Sequence, residues 1–132
     1  MNNNNHRELD IGLAQELGYK ITLIDVYASE FMESTKYKAP VINYIDKDEY
    51  DWLPHYSTDP VDMVELSDEM RLQGWILTVS HLTDGEKFMA TYSHLDDFDV
   101  GFTCIADTEP MVRALAAYKA LTKGKNFYDK QK

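Results

Sequence analysis

The stretch that most constrains this chain is residues 75–94, WILTVSHLTDGEKFMATYSH. Asp84-Gly85 suits a two-residue type I′ turn, which needs positive φ at both central positions. With these two residues as the loop, Thr83 faces Glu86, His81 faces Phe88, Val79 faces Ala90, Leu77 faces Tyr92 and Trp75 faces His94. Cross-strand partners lie on one side of the ladder. Trp75, Leu77, Val79, Phe88, Ala90 and Tyr92 therefore form one apolar surface. A register shifted by one residue would scatter them. The opposite side, with Ile76, Thr78, Met89 and Thr91, is semi-polar, as expected of a sheet covered on that side too.

The rest of the chain supplies partners for this hairpin. A helix is expected over residues 6–17, capped by Asn5 with Glu8 three residues later. Leu9, Leu13 and Leu17 share one face of it, and Gly18 ends it. YKITLIDVY (19–27) reads as a strand. Residues 28–50 are expected to hold an insertion or long loop, least interpretable over 28–40. Two short strands, VINYI and YDWL, are expected to pair through DKDE. Pro54 ends the second, because proline cannot donate to a ladder. In Ser57-Thr58-Asp59-Pro60, Thr58 or Asp59 caps a second helix running to about Gln73, with Met63, Leu66 and Met70 inward and Gly74 closing it. After an acidic loop, HLDDFD, a strand over 100–106 leads to a third helix. Thr108 caps it, Pro110 lies in its first turn, and it runs to about Thr122, before Gly124. Met111, Leu115, Tyr118 and Leu121 form its inward face. Ala116, Ala117 and Ala120 form another side, read either as a close subunit contact or as alanine serving as the best helix former. The expectation is a single α+β domain over 1–132: an antiparallel sheet with a central hairpin, three helices packed on it as an α/β sandwich, and a flexible basic tail at 124–132.

Charge removes several functions. The net charge of −10 argues against double-stranded nucleic acid, whose phosphates need a basic surface, and against an anionic membrane. No apolar run approaches the ~20 residues that span a bilayer, and MNNNNHRELD is not a signal peptide. The single cysteine allows no internal disulfide and fits a reducing cytoplasm. Between Asp46 and Glu69 stand nine acids and one base, whereas from Arg113 onwards stand six bases and one acid. Such opposed ends favour either head-to-tail association or plainly solvated faces with a basic tail.

Catalytic patterns are missing. His6, His55, His81 and His94 have no metal-ligand spacing with one another or with Cys104. Asp96, Asp97 and Asp99 lack the glycine-centred spacing of a calcium loop. Ser57 has no nucleophile elbow around it, and no glycine-rich loop is present to cradle phosphates. Neither a metal nor a cofactor is implied. Binding remains: the helix starts near 57–60 and 107–110 carry amides suited to an anion. Arg113 lies one turn inside the second of these helices, and Trp52, Tyr56 and Phe102 are aromatics near the two starts.

Two segments, LPHYSTDPVDM and, beyond the hairpin, ADTEPMVRALAAYKAL, resemble the phage ABA-sandwich domain family. RELDIGLAQELGY is similar to that family's opening helix. More remotely, the layout resembles the phage sponge proteins of the first Thoeris anti-defence family. The first resemblance implies an α/β sandwich of viral origin. The second implies a homo-oligomer that sequesters a small anionic nucleotide, a cyclic ADP-ribose-type signal or a cyclic oligonucleotide, in the host cytoplasm without cleaving it. Carried over by position, it implies ligand contacts at Thr108 and Arg113, with Tyr56, Arg71 and Phe102 nearby. Val112 stands where many relatives have a cysteine before the arginine. The alternative expectation is a phage accessory protein acting through protein contacts, including as an acidic mimic of nucleic acid. An enzyme hydrolysing the nucleotide is a third reading, for which the sequence offers no nucleophile.

Overall fold

The computed structural model describes residues 3–30, 33–43, 50–83 and 86–124. Helix α1 (Asn3–Glu16) is followed by strands β1 (Lys20–Glu30), β2 (Glu33–Asn43) and β3 (Tyr50–Trp52). Helix α2 (Pro60–Leu72) leads to strands β4 (Trp75–Leu82), β5 (Lys87–His94) and β6 (Asp97–Ala106). Helix α3 (Glu109–Lys119) ends in a π-helical turn, Ala120–Gly124. The fold is α+β, with three helices and two antiparallel three-stranded sheets, ordered β1-β2-β3 and β4-β5-β6. Among the described residues no helix is long and apolar enough to cross a membrane.

The hairpin register is the expected one: Trp75 pairs with His94, Leu77 with Tyr92, Val79 with Ala90 and His81 with Phe88. Asp84 and Gly85 lie outside the described residues. β6 extends the sheet through Ala90–Cys104 and Tyr92–Phe102. The inner side, with Trp75, Ala90 and Tyr92 buried, carries α3 and α2. The outer side, expected to be covered, is open: Ile76 and Ile105 are 39% and 54% exposed.

α1 begins at Asn3, so Asn5 lies inside the helix rather than capping it. Its far end follows expectation. Gly18 takes φ +100°, and the amides of Gly18 and Tyr19 bond back to the carbonyls of Gln15 and Ala14, the pairing of a Schellman cap. The stretch 28–40, expected to be an insertion or long loop, is strand backbone over 28–30 and 33–40, in one antiparallel ladder from Lys20–Asn43 to Glu30–Glu33. Pro40 is tolerated within it. A strand residue's N and C=O point to the same side, and Pro40 turns its carbonyl toward the amide of Leu53 at 3.4 Å. Its missing N–H is therefore not needed by β1. The acidic loop expected over 94–99 is only a turn at Leu95-Asp96, and Asp97 already belongs to β6. The tail expected at 124–132 lies outside the described residues, Gly124 excepted.

The alanine side of α3 is not a free surface. Ala114, Ala116, Ala117 and Ala120 are all 0% exposed within this chain, packed in the core with Leu13, Leu66, Met70 and Tyr92. Small residues do permit a close approach, but of the chain's own elements. α1 meets α3 closely enough that a Cβ on Gly12 would stand 2.8 Å from Tyr118 Cε2. Tyr118, expected inward, is 39% exposed.

The segment between β3 and α2 is latched to α1. Asp10, 0% exposed, pairs with Arg7 at 2.9 Å and accepts the Ser57 amide at 2.9 Å. Arg7 donates further to the carbonyls of Leu53 and Pro54, at 3.2 and 3.1 Å, and the Ser57 hydroxyl donates to the carbonyl of His6. Asp59 then caps α2, accepting the amide of Val61 at 2.8 Å and of Asp62 at 3.4 Å. Asp59→Ala is expected to lower stability by about 1 kcal/mol, the usual loss for such a cap. Urea unfolding checks it, and an unchanged midpoint would remove the capping role.

Candidate functional site

A candidate site lies where the ends of four elements meet. The β5–β6 register places Phe88 opposite Ala106, so Lys87 at the start of β5 comes beside Asp107 just past β6. Their side chains form an ion pair at 3.8 Å. Thr108 follows at once as the cap of α3, its Oγ1 accepting the Met111 amide at 3.3 Å. The first turns of α1 and α3 close the remaining sides. The resulting pocket, about 440 Å³, has His6, Lys87, Asp107 and Thr108 as polar lining and Leu9, Ile105, Ala106, Met111 and Leu115 as apolar wall. The buried Nδ1 of His6 has no hydrogen-bond partner among the described residues.

This arrangement can hold a compact ligand with an apolar body and an anionic group. Lys87, partly offset by its partner Asp107, supplies a cation, and the start of α3 supplies the positive end of a helix dipole. The helix start is poorer in donors than its position suggests. Pro110 has no N–H, and the Met111 amide is already engaged by Thr108, which leaves the Glu109 amide as the first-turn donor.

Of the five residues expected to contact a ligand, the structure brings only Thr108 to this pocket. Arg113 does not join it. Its guanidinium donates to Glu109 at 2.7 Å and to the Ser67 hydroxyl at 3.3 Å, which ties α3 to α2. Ser67 is in turn reached by the Tyr92 hydroxyl, whose pKa is raised mainly by burial. The guanidinium of Arg113 is thus held by Glu109 and Ser67 and not beside Thr108, because a residue one turn into a helix points around it and a carboxylate at i−4 meets it first. Arg71 is an exposed residue in the last turn of α2, paired with Asp68 at 3.5 Å. Phe102 sits on the inner side of the sheet, edge-on to Trp75 with centroids 5.9 Å apart.

Tyr56 lies elsewhere, in an acidic groove beside α2. One part of the groove, about 300 Å³, is lined by Tyr19, Tyr56, Glu65, Asp68 and Glu69. The adjoining part, about 320 Å³, adds Asp51, Trp52, His55 and Asp62. The Tyr19 hydroxyl donates to Glu69. The Tyr56 hydroxyl is held far above the ordinary phenol range, first by burial and then by Glu69, Tyr19, Asp62 and Glu65. Tyr56 is buried among these carboxylates, a field that disfavours a phosphate.

Lys87 and His6 were not singled out as ligand contacts in the sequence. Lys87 comes beside Asp107 only through the register shift at Ser93/His94 in the β5–β6 pairing, and only the packing of α1 brings His6 there. Among the described residues no group of three His, Cys, Asp or Glu side chains is placed to hold a metal ion. Cys104 is a half-buried strand residue whose thiol pKa is raised by burial. No family model matches the chain, and no curated protein or solved structure matches it either.

Proposed function

We propose that this protein binds and sequesters a small anionic nucleotide signal, of cyclic ADP-ribose or cyclic oligonucleotide type, without cleaving it, as a phage anti-defence protein would. The observation that carries this reading is the pocket at the start of α3, where His6, Thr108 and the Lys87–Asp107 pair face an apolar wall. Its volume suits a compact ligand, and the resemblance in sequence supplies the ligand class. Calorimetry with purified cyclic ADP-ribose isomers and cyclic oligonucleotides should show binding to one of them, with intact ligand released on heating. Lys87→Ala should weaken it by about 1.5 kcal/mol, the low end for a hydrogen bond to a charged group, or roughly tenfold. Arg113→Ala should leave affinity near the parent value and lower the melting temperature instead. No binding heat with any of these ligands, or product in place of ligand after heating, would overturn the reading.

A second reading has its own observation. The groove beside α2 combines Glu65, Asp68 and Glu69 with Tyr19 and Tyr56, a lining that suits Lys or Arg side chains through charge and cation–π contact. It supports an accessory protein acting on a basic protein partner, including one that otherwise binds nucleic acid. Glu65→Lys with Asp68→Lys should abolish such binding while sparing the pocket at α3.

A further inference from the structure

The acidic groove beside α2 contains a polar group that its surroundings leave unused. Tyr56 is 2% exposed and packs in the core, yet its hydroxyl makes no hydrogen bond among the described residues. Buried hydroxyls ordinarily have a partner, as that of Tyr92 has in Ser67. Tyr56 instead lines the groove with Glu65 and Glu69, whose charges, after burial, help to hold its pKa up. The carboxylates are equally unmatched. No lysine or arginine lines either part of the groove. Asp68 is paired with Arg71, but Glu65 and Glu69 have no cationic partner among the described residues.

These carboxylates form a row. Asp62, Glu65 and Glu69 stand at i, i+3 and i+7 of α2, so they follow one side of the helix at intervals of about 4.5 and 6 Å along its axis. The two parts of the groove share Ile42, Pro54 and Glu65 and are therefore continuous. Ile42, Pro54 and the 61% exposed Trp52 give it apolar surface. We infer that the groove is a binding site for a linear aliphatic polyamine, with its ammonium groups on the carboxylate row and its methylenes on Ile42, Trp52 and Pro54. This uses the groove of the second reading and gives it a small ligand in place of a protein. Spacing selects the ligand. Ammonium groups joined by three and by four methylenes lie ~5 and ~6 Å apart in an extended chain, at ~1.25 Å per bond, which matches the row. An ammonium has several N–H donors, so the one at Glu65 keeps a donor for the Tyr56 oxygen. Trp52 adds cation–π attraction. A compact ion fits less well, because no three carboxylate or histidine side chains among the described residues converge on one point.

Spermidine, with nitrogens spaced by three and four methylenes, is the probe. Calorimetry in about 150 mM salt, which screens exposed charges beyond ~8 Å, should show one spermidine bound per chain. Its Kd should lie between about 1 and 300 micromolar. Glu65→Gln should weaken binding roughly tenfold, and Tyr56→Phe about threefold. Tyr56→Phe should melt like the parent chain, since it removes only an unpaired hydroxyl. Asp99→Asn removes the same charge at an exposed position outside the groove and should change nothing. Hexaamminecobalt(III), a compact trication, should bind at least roughly tenfold more weakly. Three results would each overturn the inference: no spermidine bound at about 1 millimolar, spermidine no tighter than hexaamminecobalt, or as large a loss from Asp99→Asn as from Glu65→Gln. A lysine-rich peptide that binds where spermidine does not would also overturn it and return the groove to a protein partner. Spermidine binding without peptide binding would keep the polyamine site and remove the protein partner.

Discussion

Arg7→Ala should destabilise the protein by about 3–5 kcal/mol, the loss expected when one partner of a buried pair is removed. The reason is what remains. Asp10 is 0% exposed, and without Arg7 its carboxylate keeps the Ser57 amide as its remaining hydrogen-bond partner among the described residues. The same change frees the carbonyls of Leu53 and Pro54 from their shared donor. Asp10→Asn should cost less, about 1–2 kcal/mol, because a neutral amide still accepts from Ser57 and needs no counter-charge. Urea denaturation of the three proteins gives the ranking. If Arg7→Ala cost no more than Asp10→Asn, the latch would be a surface contact and not a buried one. The effect matters beyond stability, because this latch sets where α1 lies and hence where His6 meets the α3 pocket.

Ala117→Glu should leave the chain unfolded or insoluble. Ala117 is 0% exposed. A glutamate there adds bulk to a packed core, at about 1–3 kcal/mol, together with an unpaired buried charge at several kcal/mol more. The sum approaches the ~5–15 kcal/mol that a domain has in total. Ala117→Gly should cost only about 1 kcal/mol, through helix propensity. Circular dichroism on heating distinguishes the two. A folded Ala117→Glu protein that had merely lost a subunit partner would restore the reading of this helix side as an external contact.

Where the sequence sufficed, the deciding interactions are short in range. The Asp84-Gly85 dipeptide signals in the sequence which residue of β4 meets which of β5, a pairing the ladder from Leu82–Lys87 to Trp75–His94 has, and alternation then sorts Trp75, Leu77 and Tyr92 onto one side. The caps at Asp59 and Thr108 follow because a side-chain oxygen two or three residues ahead of an unpaired amide can reach it without help from elsewhere. The end of α1 at Gly18 is equally local. Residues 28–40 were harder, because a strand interrupted by Pro40 and rich in lysine looks like loop until the strand it pairs with is known.

The tertiary structure decided the rest. Periodicity tells which residues of α3 share a side but not what lies against that side. Ala116, Ala117 and Ala120 are small enough for either a neighbouring subunit or α1 and the sheet, and only packing chose the latter. Arg113 was legible as a cation near a helix start, but its direction depended on Glu109 on its own helix and Ser67 on another. The pocket joins Lys87 to Thr108 across 21 positions of sequence and His6 across a further 81. The latch joins Asp10 to Ser57 across 47. Hairpin register and helix caps are legible in sequence because their energetics are settled within a few residues. The candidate site is assembled from the ends of four elements, and its position is set by the core that packs them together.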